Sequence, residues 1–232
     1  MCGRFVQKGP GTLAKKLGAE PPTGLFPRYN VAPSQDVMIV RPVGTGREAV
    51  LARWGLVPAW TADPSLSLAP INARCETAES KPTFRDALRK RRCVLPAEGF
   101  FEWKRGGKRR QPFFIRRRDR EPIYMAGVWE CWRSPTDGQE FESTAVLTTQ
   151  ANDLLKDLHD RMPVLLHPEG VDIWLDETVT NPKCFLPLFV PFPVDLLSVD
   201  AVSERVNSVK HDDPKCVEVV HEPATTGSLF DD

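Results

Sequence analysis

From residue 36 to residue 149 the chain is rich in short β-patterned runs bounded by turn residues. Asp36–Arg41 and Glu48–Trp54 flank a Gly/Pro/Thr turn and read as a hairpin. Cys93–Leu95 leads into Gly99–Lys104, where Glu102 stands between aromatics. Arg105–Lys108 reads as a tight turn, and Gln111–Arg118 returns. Pro122–Trp132 and Glu142–Thr149 are two further strands around the turn Ser134–Gly138. Short strands joined by turns predict an α+β class: one β-rich domain of antiparallel, barrel-like sheets with a few flanking helices. The helix candidates are Thr12–Leu17, Thr83–Arg91, Asn152–Leu158 and Gly170–Leu175. The 22 prolines stiffen long loops. The domain is expected over residues 1–222 and a loose tail over 223–232.

The apolar fraction, 41% of 232 residues, suffices for a core. No apolar run approaches the length of a membrane span, and no apolar stretch follows Met1 as in a signal peptide. The expectation is a cytoplasmic protein. Six cysteines lack CxxC spacing, so neither a zinc site nor a disulfide framework is expected. Net charge is zero, yet Arg89–Arg120 holds 13 basic residues against 3 acids, a net of +10. Asp195–Asp232 carries nine acids and three bases, a net of −6. Such asymmetry suits a face for an anionic partner, nucleic acid included. Solvated hairpin tips explain the basic runs equally well.

Cys2 carries the sharpest chemistry. Initiator methionine is commonly trimmed ahead of a small residue. A chain starting at Cys2 would present a free α-amine beside a free thiol. That pair condenses with an aldehyde: the amine forms an imine, the thiolate adds to it, and a thiazolidine closes. In an open chain the two groups titrate at roughly 8 and 8.5, near neutrality.

Three other segments place polar residues where strands or helix ends would bury them: Pro70–Thr77, Gly99–Trp103 and Leu158–Val164. Each has a plain structural reading. Glu102 between Phe101 and Trp103 suits an outward-facing strand position. His159 suits a cap at a helix end, and Asn72 a turn.

Taken jointly, MCGRF, RYNVAPSQ, WGLVPAW, INARCET, GFFEW, AGVWE and LHDRMPV resemble the SRAP family, the SOS response-associated peptidases or abasic-site processing proteins. The match runs in order from Met1 to about Pro214, with Val206–Lys210 resembling the last motif. The resemblance implies a β-rich fold with flanking helices and covalent attachment, through the N-terminal cysteine, to abasic sites in single-stranded DNA. It implies neither metal nor cofactor. The family's active-site positions match Cys2, Asn72, Glu102 and His159. Arg4, Arg74 and Arg161 match its DNA-backbone contacts.

Roles can be argued from the chemistry alone. An abasic deoxyribose must open before its aldehyde reacts, and His159 has a suitable pKa to protonate the ring oxygen. Glu102, hemmed by Phe100, Phe101 and Trp103, is expected to have a raised pKa and to take the α-amine's proton. Asn72 does not titrate, so it is a positioning residue. Trp54, Pro58 and Trp60 are candidates for base stacking or for wedging a duplex end, with core packing the alternative, stronger for Trp54. Asn30 and Pro33 shape the same groove. Two other function classes stand beside this one: a thiol hydrolase of the N-terminal-nucleophile kind, which could release Met1 itself, and a noncovalent single-strand-binding barrel. Gly227–Phe230 carries a Leu-Phe pair like peptides that dock on bacterial sliding clamps, with a plain tail the better reading. The expected setting is a monomer in a bacterium, at damaged DNA of the nucleoid.

Overall fold

The computed structural model describes residues 2–62, 69–104 and 111–220. In chain order it contains β1 (Phe5–Gln7), α1 (Pro10–Lys16), β2 (Arg28–Val31), β3 (Asp36–Val43), β4 (Gly46–Trp54) and β5 (Asn72–Arg74). There follow α2 (Cys75–Ala78), α3 (Pro82–Lys90), β6 (Arg92–Ala97), β7 (Gly99–Trp103), β8 (Pro112–Arg117) and β9 (Ile123–Arg133). The last elements are β10 (Glu140–Gln150), β11 (Arg161–Pro163), β12 (Leu165–Leu166), α4 (Pro168–Leu175) and β13 (Leu197–Ala201), followed by short 3-10 turns.

Two sheets result. One has the order β13-β8-β7-β1-β2. In the other, β10, β4, β3, β6 and β9 follow one another and β9 pairs back onto β10, closing a five-stranded barrel. The expected hairpin is β3–β4, in register from Asp36↔Arg53 to Val43↔Gly46. The antiparallel, barrel-like expectation holds with one addition: β10 pairs in parallel with both β4 and β5. The parallel pairing lays Asn72–Arg74 beside Val146–Thr148.

Strand alternation sorts the core into two layers. On β3, Val37 and Ile39 join the cluster facing the five-stranded sheet, whereas Met38 and Val40 face the helices. On β6, Cys93 and Leu95 face the first way and Val94 the second. Leu13 and Ala14 of α1, Phe84, Ala87 and Leu88 of α3, and Val171, Trp174 and Leu175 of α4 cover the helix side.

Three of the four expected helices form, shifted by one or two residues. Asn152–Leu158 does not. It is a series of turns in which Leu155 and Lys156 N–H groups both bond the Asn152 carbonyl. Asn152 also accepts from Leu155 N–H through its side chain and donates to the Phe192 carbonyl. A single turn closed this way pins the chain before β11 and leaves no room to propagate. The Arg105–Lys108 turn and the expected tail lie outside the described residues.

Candidate active site

Alternation on β7 decides where Glu102 points. Phe100 packs in the inner cluster with Cys2 and Phe5, and Phe101 and Trp103 pack on the outer face. Glu102 therefore shares the inner face with Phe100 and is only 4% exposed. The outward-facing reading is thus incorrect, because the sheet's outer face is claimed by its two aromatic neighbours. Gly99 makes the start of β7 possible: a Cβ there would run into the Ile115 carbonyl and the Phe114 ring.

β1 pairs with β7 through Phe5↔Phe100 and carries the N-terminal segment alongside it. Cys2 is fully buried. Trp54 locks this corner: its ring meets Phe5 edge-on at 4.8 Å, and its indole N–H donates to the Ile71 carbonyl at 3.0 Å. That bond sets β5, and Asn72 Nδ2 donates to the Cys2 carbonyl at 2.9 Å. Asn72 Oδ1 is buried with no hydrogen-bond partner. Trp54 is thus fully buried in the core.

Burial pushes the Cys2 thiol well above its ordinary value, and the negative charge of Glu102 pushes it further. The open-chain expectation of a thiol near 8.5 is not met, because low-dielectric surroundings disfavour the thiolate. The resting residue is a protonated thiol that needs a base beside it.

His159 lies on the segment before β11. Leu155, Leu158 and Met162, which flank it, belong to the cluster that encloses Cys2. Its Nδ1 accepts from the Arg161 backbone N–H at 2.9 Å and lies 2.8 Å from Asp160 Oδ1. The two contacts suit different protonation states. The neutral ring accepts from the fixed backbone donor, and a ring protonated at Nδ1 pairs with Asp160.

The expected DNA-contact residues fall into two groups. Arg161 is 8% exposed and bidentate on Glu76 at 2.6 and 2.8 Å, with a further bond to the Thr148 carbonyl. Arg4 donates to Asn30 Oδ1 at 2.8 Å and to the Val206 carbonyl at 2.9 Å. Asn30 is fully buried and donates to the Ser208 and His211 carbonyls, so it fastens the 204–211 segment onto β2. Arg74 is exposed, with no ion pair among the described residues, and Pro33 is exposed. Trp60 is 68% exposed. Sequence reasoning gave no role to Glu76, Asp160 or Asp212, although Glu76 and Asp160 lie inside the quoted motifs. Asp212 accepts from the Asn30 N–H at 2.9 Å across a long stretch of chain, a pairing with no local signal. Among the described residues no group of three or more His, Cys, Asp and Glu is placed to hold a metal ion.

Comparison with other proteins matches this geometry to a family. The model described as SOS response associated peptidase (SRAP) matches residues 1–209. The abasic site processing protein YoqW of Bacillus subtilis is 36% identical over 223 residues, covering 94% of this chain and 99% of its own. The abasic site processing protein YedK of Escherichia coli is 32% identical over 229 residues, covering 95% and 100%. A crystal structure of a Bacteroides thetaiotaomicron protein superposes with a TM-score of 0.86 at 24% identity, covering 95% of this chain and all of that one, and so shares the fold. The chain belongs to the SOS response associated peptidase (SRAP) family.

Proposed function

We propose that this chain captures abasic sites in single-stranded DNA by covalent attachment through Cys2. The observation that carries the reading is the Asn72–Cys2 contact at 2.9 Å, made where Glu102 bears electrostatically on the Cys2 thiol. The relatives named abasic site processing proteins support the same substrate.

The reaction requires Met1 to be gone. His159 donates a proton to the sugar ring oxygen and the C1′ aldehyde opens. Glu102 takes a proton from the Cys2 α-ammonium, and the amine adds to the aldehyde. Glu102 returns that proton to the carbinolamine hydroxyl, which leaves as water and gives the protonated imine. The thiol, its proton passed to Glu102, adds to the imine carbon and closes the thiazolidine. Asn72 holds the Cys2 carbonyl throughout, so the amine and thiol present one face to the sugar. Aminopeptidase trimming is the favoured source of the free amine. A buried, protonated thiol is poorly suited to attack the Met1–Cys2 bond on its own.

Phosphates would lie along Arg74 and Arg4, with Arg161 completing the set by opening from Glu76. Trp60 would stack on a base beside the lesion, and Pro33 and Asn30 would shape the groove. The target lacks a base, so affinity should rest on phosphates and fall with salt. Among the described residues no helix is long and apolar enough to cross a membrane. A monomer at the bacterial nucleoid fits this work, and docking of Leu229–Phe230 on a sliding clamp is a secondary proposal about residues outside those described.

The test mixes the protein with an oligonucleotide bearing one abasic site. A band should survive a denaturing gel for wild type and vanish for Cys2→Ala. Binding that never survives denaturation would favour a noncovalent single-strand binder. Glu102→Gln should slow both formation and reversal of the adduct, and unchanged rates would remove Glu102 from proton transfer.

A further inference from the structure

The basic segment of the sequence takes little part in the reaction above. The fold gathers two of its members, Arg116 and Arg120, with Lys8 and Lys16 around a cleft of about 650 Å3. Ligand sites span roughly 300–1,000 Å3. The cleft opens on the outer face of the five-stranded sheet: Val6 lines it, whereas Phe5 and Gln7 on either side turn inward. Val6 belongs to the outer apolar cluster that also holds Trp103, the ring beneath the Arg4 guanidinium.

The lining is divided by chemistry. Tyr29, half-buried, supplies aromatic surface beside Val6, and Phe114 is buried beneath it. Of the cations, Lys16 pairs with Glu121 and Arg116 with Asp200. Lys8 and Arg120 are exposed and make no ion pair among the described residues. The carboxylate in the lining, Glu98, is turned to the backbone, accepting from the Lys8 and Gly9 N–H groups at 2.9 Å each. Burial raises its pKa, against the Lys8 and Gly9 N–H groups and the Lys8 charge, which lower it. Arg120 is also strained. Its φ of +65° lies in the left-handed region that glycine occupies freely and arginine does not. A strained residue at the mouth of a cleft points to use of its side chain.

We propose that this cleft binds a nucleotide, with the base against the half-buried Tyr29 ring and the phosphate on Lys8 and Arg120. Stacking surface beside free cations is the combination that holds a nucleotide without reading its sequence. The ligand could be a free nucleoside monophosphate or a nucleotide of the DNA strand. Lys8 lies six residues beyond Cys2, about 20 Å at the strand rise of roughly 3.3 Å, so a strand leaving the reactive corner reaches it within a few nucleotides. Only this second source rests on the proposed single-strand function.

The experiment uses Cys2→Ala protein, which removes crosslinking from the measurement, with and without Lys8→Gln and Arg120→Gly together. Thymidine monophosphate, a short oligothymidylate and a longer one are titrated at several salt concentrations. The parent should bind, and the double substitution should weaken binding about tenfold. The slope of log affinity against log salt should fall by about 0.7, the value for one single-strand phosphate that is no longer neutralised. A response to the monophosphate assigns a free nucleotide, and a response confined to the longer oligonucleotide assigns the strand. Arg120→Gly relieves backbone strain, so a melting point at or above the parent's separates weakened binding from weakened folding. Unchanged affinity and slope for all three ligands overturn the proposal. Failure of wild type to crosslink an abasic site would sink the proposed function and leave the cleft standing.

Discussion

Arg92 and Asn72 are both polar side chains set among apolar ones, and the fold treats them differently. Arg92 is 3% exposed and donates to the carbonyls of Leu88, Arg89, Trp174 and Asp176. Its guanidinium lies 4.6 Å from the Phe185 ring centroid and 5.8 Å from that of Trp174. It ties the ends of α3 and α4 together, with four of its five N–H donors used. Asn72 makes one bond, to the Cys2 carbonyl, and leaves a buried oxygen without a hydrogen-bond partner. Buried polar groups are almost always paired. A group that folding leaves incomplete is where a ligand can complete it, so the contrast separates a structural polar site from a chemical one.

The contrast can be broken most forcefully at Arg92. Arg92→Ala takes a donor from four carbonyls, of which that of Asp176 keeps the Val179 N–H, so denaturant unfolding should show a loss of about 3 kcal/mol or more, while the folded fraction still crosslinks. The aromatic pair sharpens the same division. Trp54→Ala should cost about 3–5 kcal/mol, because Trp54 is fully buried against Phe5. Trp60→Ala should stay within about 0.5 kcal/mol and weaken single-strand binding instead. Asn72→Ala should reverse the Arg92 pattern: stability changes by under about 1 kcal/mol, and crosslinking in a rapid-quench assay slows about tenfold, the worth of one positioning bond.

The smallest effect is on pH. Burial raises the thiols of Cys2 and Cys93, that of Cys93 to about 12. Both bind protons more tightly folded than unfolded. Their contribution to stability is complete below the free-thiol value of about 8.5 and is lost as pH rises from there through the folded values. Denaturation midpoints should decline above that point, and Cys93→Ala should flatten the decline. Iodoacetamide at mild alkaline pH should label exposed Cys184 well before Cys93.

Much of this was legible in the sequence. The β3–β4 hairpin and the strands on either side of Glu102 follow from period-two patterning and turn residues. Asn72 donates to the Cys2 carbonyl, and the charge of Glu102 bears on the Cys2 thiol. What stayed hidden depends on long-range pairing. Arg161 carries the mark of a phosphate contact, yet the fold sets it against Glu76, 85 residues away. Trp54 and Trp60 share one motif, and only the packing of Phe5 separates their fates. The helix expected at Asn152–Leu158 has Leu154, Leu155 and Leu158 at helical spacing, but the Asn152 side chain and the nearby β11 pairing close it as isolated turns.

The most direct test of the central claim is peptide mapping by mass spectrometry of the protein after reaction with an abasic oligonucleotide. The account predicts a sugar remnant on a peptide beginning at Cys2, attached through both its nitrogen and its sulfur, with Met1 absent. A remnant on any other residue, or on a chain that still carries Met1, would contradict it.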